Sequence, residues 1–238
     1  MVLLFLAVML ASPSPSPTPH LKTIMTVKSS PLCGAFAAHV NAAIGSAVQN
    51  DQMLGSAILG LRSNDLSGSD LERNGEENRL TNLADAIYKQ YRIGETEVTQ
   101  LRDLAAKASD PDERASLKAS ADALGGVLYR QHLIQRDLDG FVAYLNASDM
   151  RTDMPSNEAY RPDMPVRPGA MSLFTGSAGE YWTPPGFHST GLTVGHFSHE
   201  DDVRMAASAS TDFQSRMPAI LQDEMTAGSH IEQASVHC

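Results

Sequence analysis

The chain has 238 residues and a formal net charge of −10 at pH 7, and 6% of its residues are aromatic. That length suffices for one domain of ordinary size with additional segments. An acidic chain repels the phosphate backbone, so we expect no nucleic acid among its partners. The sequence contains two cysteines, which allow at most one disulfide within the chain and exclude a framework of several disulfides.

The N-terminus has the pattern of a secretory signal. Residues from Val2 to Ala11 form an unbroken apolar run, and a stretch rich in serine, proline and threonine follows it. A helix of that length spans about 15 Å, which is half the thickness of the hydrocarbon core of a bilayer. Such a run is too short for a membrane anchor and is typical of a signal peptide. We therefore predict a signal peptide over residues 1–11, a linker over residues 12–30, and export to the periplasm or the extracellular space.

A second uncharged stretch runs from Ser29 to Asn50 and is long enough to cross a membrane. It consists mainly of alanine, glycine and serine and contains few large apolar side chains. This composition packs well against other helices but partitions poorly into lipid. We expect a helix of a bundle core here and no stable membrane span.

Two internal prolines indicate where helices begin. Ser30 precedes Pro31, and Asp110 precedes Pro111. Serine and aspartate cap helix N-termini, and proline is tolerated at the first helical position because its missing N–H would have no partner there. Both pairs therefore predict the start of a helix.

Three long segments, over residues 31–62, 76–108 and 111–145, each carry one stripe of apolar residues. In the second and third segments the stripe repeats at alternate steps of four and three, the spacing of a coiled-coil seam. Each segment spans about 50 Å as a helix, and equal lengths favour an antiparallel bundle. We predict an all-α bundle of three long helices over residues 31–147, or of four if the second segment breaks at Gly94. The predicted stripes are Phe36, Val40, Ile44, Ala47, Leu54, Ile58 and Leu61, then Leu80, Ala84, Ile87, Tyr91, Gly94, Val98, Leu101, Ala105 and Ala108, and then Leu117, Ala121, Leu124, Leu128, Gln131, Gln135, Leu138, Val142 and Leu145.

Polar residues interrupt two of these stripes. Asp51 lies in the first, and Gln131 and Gln135 lie in the third. A polar layer that fixes helix register would explain the two glutamines, and so would a small polar cavity.

The C-terminal segment has a different composition. Residues 148–238 contain twelve acidic residues and five arginines, and residues 148–200 are rich in proline, glycine, serine and aspartate. Such a composition buries too little apolar surface to offset the entropy of ordering. We predict a mostly disordered acidic tail with short helices near residues 201–225.

Histidines provide the candidate metal ligands. His196 and His199 lie three residues apart, and Glu200 follows them, a set that could bind zinc or copper. The spacing differs from that of the zinc proteases, and solvated histidines beside an acidic helix start are the alternative. His39 and His132 lie on helical segments and could ligate haem or a metal between helices, or could instead be surface or core histidines.

The cysteines leave three alternatives open. In an oxidising compartment Cys33 and Cys238 could form a disulfide within the chain, could pair between two chains, or could remain as buried thiols.

No catalytic motif, phosphate-binding loop or haem attachment motif is found in the sequence. We therefore predict no catalytic residue and no required cofactor, and expect an exported, non-enzymatic bundle that acts by contact with a protein or an envelope surface. A homo-oligomer is compatible with its exposed alanine-rich faces. The alternative function is an exported metal- or haem-binding protein that uses the tail histidines.

Overall fold

The computed structural model describes residues 21–24, 30–152 and 199–238, in which four long α-helices pack as one bundle. The chain runs alternately up and down, and each helix packs along the next one in sequence. A 3-10 turn at Asn64–Ser67 lies between the first two helices. The helices are α1 (Pro31–Gly60), α2 (Asp70–Lys107), α3 (Pro111–Thr152) and α4 (His199–His237).

The two predicted helix starts are confirmed. The Ser30 hydroxyl accepts a hydrogen bond from the backbone N–H of Cys33 at 3.1 Å, at the start of α1. The Asp110 carboxylate accepts one from the backbone N–H of Asp112 at 2.9 Å, at the start of α3. In both helices a side chain satisfies an N–H group that has no partner within the helix.

α2 begins six residues before the predicted start at residue 76, because a capping box lies at Ser69 and Glu72. The Glu72 carboxylate accepts hydrogen bonds from the Ser69 backbone N–H at 2.8 Å and from the Ser69 hydroxyl at 2.7 Å. Glutamate three residues after a capping serine is the pattern that begins a helix. The connection between α1 and α2 is correspondingly short.

The predicted apolar stripes form the core. Every position of the first and third stripes is buried, and in the second stripe only Tyr91 is half-buried. The spacing of three and four residues therefore identified the inward faces of α1, α2 and α3 correctly.

α2 passes through Gly94 without a break. A Cβ atom at Gly94 would lie 2.7 Å from the Leu128 side chain and 3.2 Å from the Cβ of Ser46. The glycine therefore allows α1 and α3 to approach α2 closely, and it does not divide the helix.

The fourth helix corrects the prediction of a tail over residues 148–238. The first residues of that segment continue α3. His199–His237 form α4, and Cys238 follows it. Residues 153–198 lie outside the described part of the chain. The short helices expected near residues 201–225 are one long helix whose inward positions again repeat at steps of three and four. Its buried apolar residues are Ala206, Ala209, Phe213, Met217, Ile220, Ala227, Ile231 and Ala234.

Pro218 lies inside α4. Proline has no backbone N–H group, so the carbonyl oxygen four residues earlier accepts no hydrogen bond from it. Both Pro218 and that residue, Gln214, lie on the exposed side of the helix, where water can bond the carbonyl oxygen. The helix therefore continues past the proline.

One segment of the described residues, Pro31–Ser67, is long and apolar enough to cross a membrane by length and composition. Its apolar stripe is buried inside the bundle. The predicted signal peptide over residues 1–11, and most of the predicted linker over residues 12–30, lie outside the described residues.

Candidate functional site

A layer of polar side chains crosses the core between α1, α3 and α4. It consists of Asn50, Asp51, Gln131 and Glu224, all of which are buried. The Gln131 amide nitrogen donates hydrogen bonds to the Ala47 carbonyl oxygen at 2.9 Å and to the Asp51 carboxyl group at 2.8 Å. The Asn50 amide nitrogen donates to the Gln131 side-chain oxygen at 3.3 Å. These bonds favour the interpretation of Gln131 as part of a register-fixing polar layer.

Asp51 and Glu224 are a buried carboxyl pair within this layer. Burial, followed by the hydrogen bond to Glu224 and its charge, raises the pKa of Asp51 to about 9, although the Gln131 hydrogen bond acts in the opposite direction. Two adjacent buried carboxylates repel each other, so Asp51 retains its proton at neutral pH. Because α1 and α4 bury both side chains between them, the pair joins the two helices and does not face solvent.

A second buried polar group lies at the other end of α4. Arg73 is 2% exposed, and its guanidinium group bonds the Glu77 carboxylate at 2.9 Å and the Asp202 carboxylate at 3.0 Å. These three side chains, which we call the ion cluster, connect the first turns of α2 and α4. Removing one charge from such a cluster leaves another without compensation in a low-dielectric core.

Cys33 and Cys238 form a disulfide, with their Cα atoms 5.1 Å apart and a sequence separation of 205. Both cysteines are buried. Of the three alternatives that the sequence left open, the structure has the intramolecular pairing. The bond connects the first turn of α1 to the residue that follows α4.

The predicted metal ligands in the C-terminal segment are only partly described. His196 lies outside the described residues. His199 and Glu200 are the first two residues of α4, and their side chains are not described. The predicted metal site at these residues therefore stays a prediction.

The two helix histidines have different protein partners. His39 Nδ1 lies 2.6 Å from the Glu97 carboxylate, between α1 and α2. His132 Nδ1 lies 3.0 Å from the side-chain oxygen of Gln135, one turn further along α3. The ring of His132 also stacks on Tyr91, with centroids 4.2 Å apart. The structure thus assigns each histidine a contact within the bundle.

The described helices expose one cluster of aromatic rings, which we call the tyrosine face. It comprises Tyr88 and Tyr91 of α2 with Tyr129 and His132 of α3. The Tyr88 ring lies 5.9 Å from the His132 ring and 6.4 Å from the Tyr91 ring. The pKa of Tyr91 is raised, first by burial, then by Glu95, and least by the nearby Tyr129. Tyr88 and Tyr129 are 45% and 56% exposed, so the face is open to solvent.

The tyrosine face was not predicted from the sequence. Each helix contributes two rings three residues apart, the spacing that places side chains on one helix face. That spacing could have identified each pair separately. The antiparallel packing of α2 on α3 brings the two pairs together.

Comparison with known proteins gives no guide to function. No family model matches the chain, and no curated protein or solved structure matches it significantly. The polar layer, the ion cluster and the disulfide are buried, whereas the tyrosine face is open to solvent.

Proposed function

We propose that the protein is exported and then acts as a non-enzymatic helical bundle that binds another protein. The observation that carries this proposal is the disulfide between the buried Cys33 and Cys238. Disulfides form and persist in oxidising compartments and are rare in the cytosol. The apolar run from Val2 to Ala11 supplies a matching export signal.

The tyrosine face is the proposed contact surface. Tyrosine is enriched at protein interfaces and at their energetic hot spots, because its ring buries apolar area while its hydroxyl group bonds a partner. The net charge of −10 disfavours binding to an anionic lipid surface. We therefore favour a protein partner over the envelope surface that the sequence analysis also allowed.

Replacement of Tyr129 by a photo-cross-linking amino acid tests this proposal. Met225 on α4 is the matched control position, since it is 57% exposed and Tyr129 is 56% exposed. Both variants are expressed in native cells, exposed to light and separated on denaturing gels. We expect one protein adduct with the cross-linker at Tyr129 and none at Met225.

The identity of the cross-linked molecule distinguishes the possible partners of the tyrosine face. An adduct with a different protein supports the proposal, whereas an adduct with a lipid or with a second copy of the chain contradicts it. Equal adducts from both positions, or none from Tyr129, would show that the tyrosine face is not a contact surface.

A further inference from the structure

Three potential metal ligands meet at one end of the bundle. Cys33 Sγ, Cys238 Sγ and a carboxylate oxygen of Glu113 all lie within 4.8 Å of one another. Cys33 lies in the first turn of α1, Glu113 lies in the first turn of α3, and Cys238 follows α4. Each ligand therefore comes from a different helix end, and the packing of three helices positions them.

Two thiolates and one carboxylate are a suitable ligand set for zinc. Zinc binds sulfur at about 2.3 Å and carboxylate oxygen at about 2.0–2.2 Å, so ligand atoms around one tetrahedral ion lie about 3.5–3.8 Å apart. In this structure the two sulfur atoms are bonded to each other and a Glu113 carboxylate oxygen lies within 4.8 Å of both, so reduction of the disulfide frees the sulfurs to move apart to that spacing. The N-termini of α1 and α3 both point to this end, and helix N-termini stabilise anionic groups.

We propose that the reduced chain binds one zinc ion through Cys33, Glu113 and Cys238, with water as the fourth ligand. Oxidation then exchanges the metal for the disulfide. Reaction with a low-molecular-weight disulfide transfers two electrons from the two thiolates, so that the protein S–S bond forms and the S–S bond of the oxidant breaks into two thiolates. Zinc leaves as the hydrated ion.

This inference goes beyond the proposed contact function and does not depend on it. A chain made in a reducing compartment holds zinc at this end of the bundle, and the disulfide replaces the ion in an oxidising compartment. In both states the same two cysteines connect α1 to the end of α4. The tyrosine face lies on α2 and α3 and is a separate surface.

The test uses the full chain, reduced with a phosphine and kept under inert gas. Zinc affinity is measured by competition with a chromophoric chelator, and cobalt(II) is substituted to detect sulfur-to-metal charge-transfer absorption. The informative variant is Glu113→Gln. Its control is Asp112→Asn, which removes an exposed carboxylate from the same turn of α3.

We expect one zinc ion per reduced chain, thiolate absorption with cobalt, and a melting temperature that rises when zinc is added. Glu113→Gln should weaken zinc binding by at least about tenfold, since even indirect partners of a metal ligand contribute that much. Asp112→Asn should bind zinc as the wild type does. Addition of a low-molecular-weight disulfide should release the zinc as the protein disulfide forms.

Three results would overturn the proposal. The first is a reduced chain, folded or unfolded by circular dichroism, that takes up no stoichiometric zinc and gains no stability from it. The second is unchanged zinc binding after Cys33→Ser and Cys238→Ser are combined. The third is equal affinity of the Glu113→Gln and Asp112→Asn variants, which would remove Glu113 from the ligand set.

Discussion

The carboxyl groups of Asp51 on α1 and Glu224 on α4 are hydrogen-bonded in the bundle core, where burial and Glu224 raise the pKa of Asp51 to about 9. Glu224 belongs to the segment whose composition predicted a disordered tail. Its carboxyl group instead bonds Asp51 of the first helix, at the same level of the core as Asn50 and Gln131. The protonation of Asp51 therefore affects the stability of the packing between α1 and α4.

This pair predicts a stability that falls as pH rises. The pKa of Asp51 is raised from its ordinary value of 3.8 to about 9, so between these values the folded chain binds a proton that the unfolded chain lacks. The free energy of unfolding therefore decreases with pH across that window, at up to about 1.4 kcal/mol per pH unit from this group. Urea unfolding of the wild type and of Asp51→Asn at several pH values measures the effect.

We expect a shallower pH dependence for Asp51→Asn, because its side chain does not ionise. Asp122→Asn is the control, since Asp122 is an exposed partner of Arg102 and should keep the wild-type slope. Equal slopes for all three proteins would show that Asp51 is not the titrating group.

The ion cluster predicts a large difference between two arginine substitutions. Arg73→Met removes the buried partner of Glu77 and Asp202, and we expect a loss of about 3–5 kcal/mol in the free energy of unfolding. Arg92→Met removes an arginine that is 61% exposed and pairs with Glu95, and it should cost at most about 1 kcal/mol. Denaturant unfolding of both variants provides the comparison, and similar losses would contradict a structural role for Arg73.

The disulfide predicts that reduction destabilises the fold. A bond that closes a loop of this length restricts the unfolded chain strongly, and its loss typically costs about 2–5 kcal/mol. Thermal unfolding with and without a reductant, in the presence of a metal chelator, measures the loss. An unchanged melting temperature in the reduced chain would mean that the bond adds no stability to the bundle.

Two glycines should respond in opposite directions to alanine. Gly94→Ala places a methyl group 2.7 Å from Leu128 in the buried core, and overpacking of this kind costs about 1–3 kcal/mol. At Gly126, also within a helix, a methyl group meets no described atom within 4 Å, so alanine should stabilise α3 by up to about 1 kcal/mol. If Gly94→Ala were as stable as Gly126→Ala, the close approach of α2 and α3 would need revision.

The fold of the first three helices could be predicted because each carries its own signals. Ser30 and Asp110 cap proline-led helices, and large apolar side chains mark the inward faces. α4 was predicted only as short helices in a disordered tail, for two physical reasons. Half of its buried apolar residues are alanines, and the acidic Glu224 lies among them. Its composition was also averaged with that of the proline-rich residues before it.

The candidate site was predictable only in part. Asp51 and Gln131 stood out because they interrupt apolar stripes, and both lie in the polar layer. Their relation to Glu224 depends on the tertiary packing of α4, which no local pattern encodes. The pairing of Cys33 with Cys238 has the same origin, because it requires α4 to return to the start of α1.

The most direct test of the proposed export is the processing and redox state of the native protein. Intact-mass analysis of protein isolated from native cell fractions, after alkylation with and without prior reduction, reports both. We predict an extracytoplasmic protein that lacks the apolar leader and whose Cys33 and Cys238 react only after reduction. A cytoplasmic protein that retains the leader and carries two alkylatable thiols would contradict the proposal.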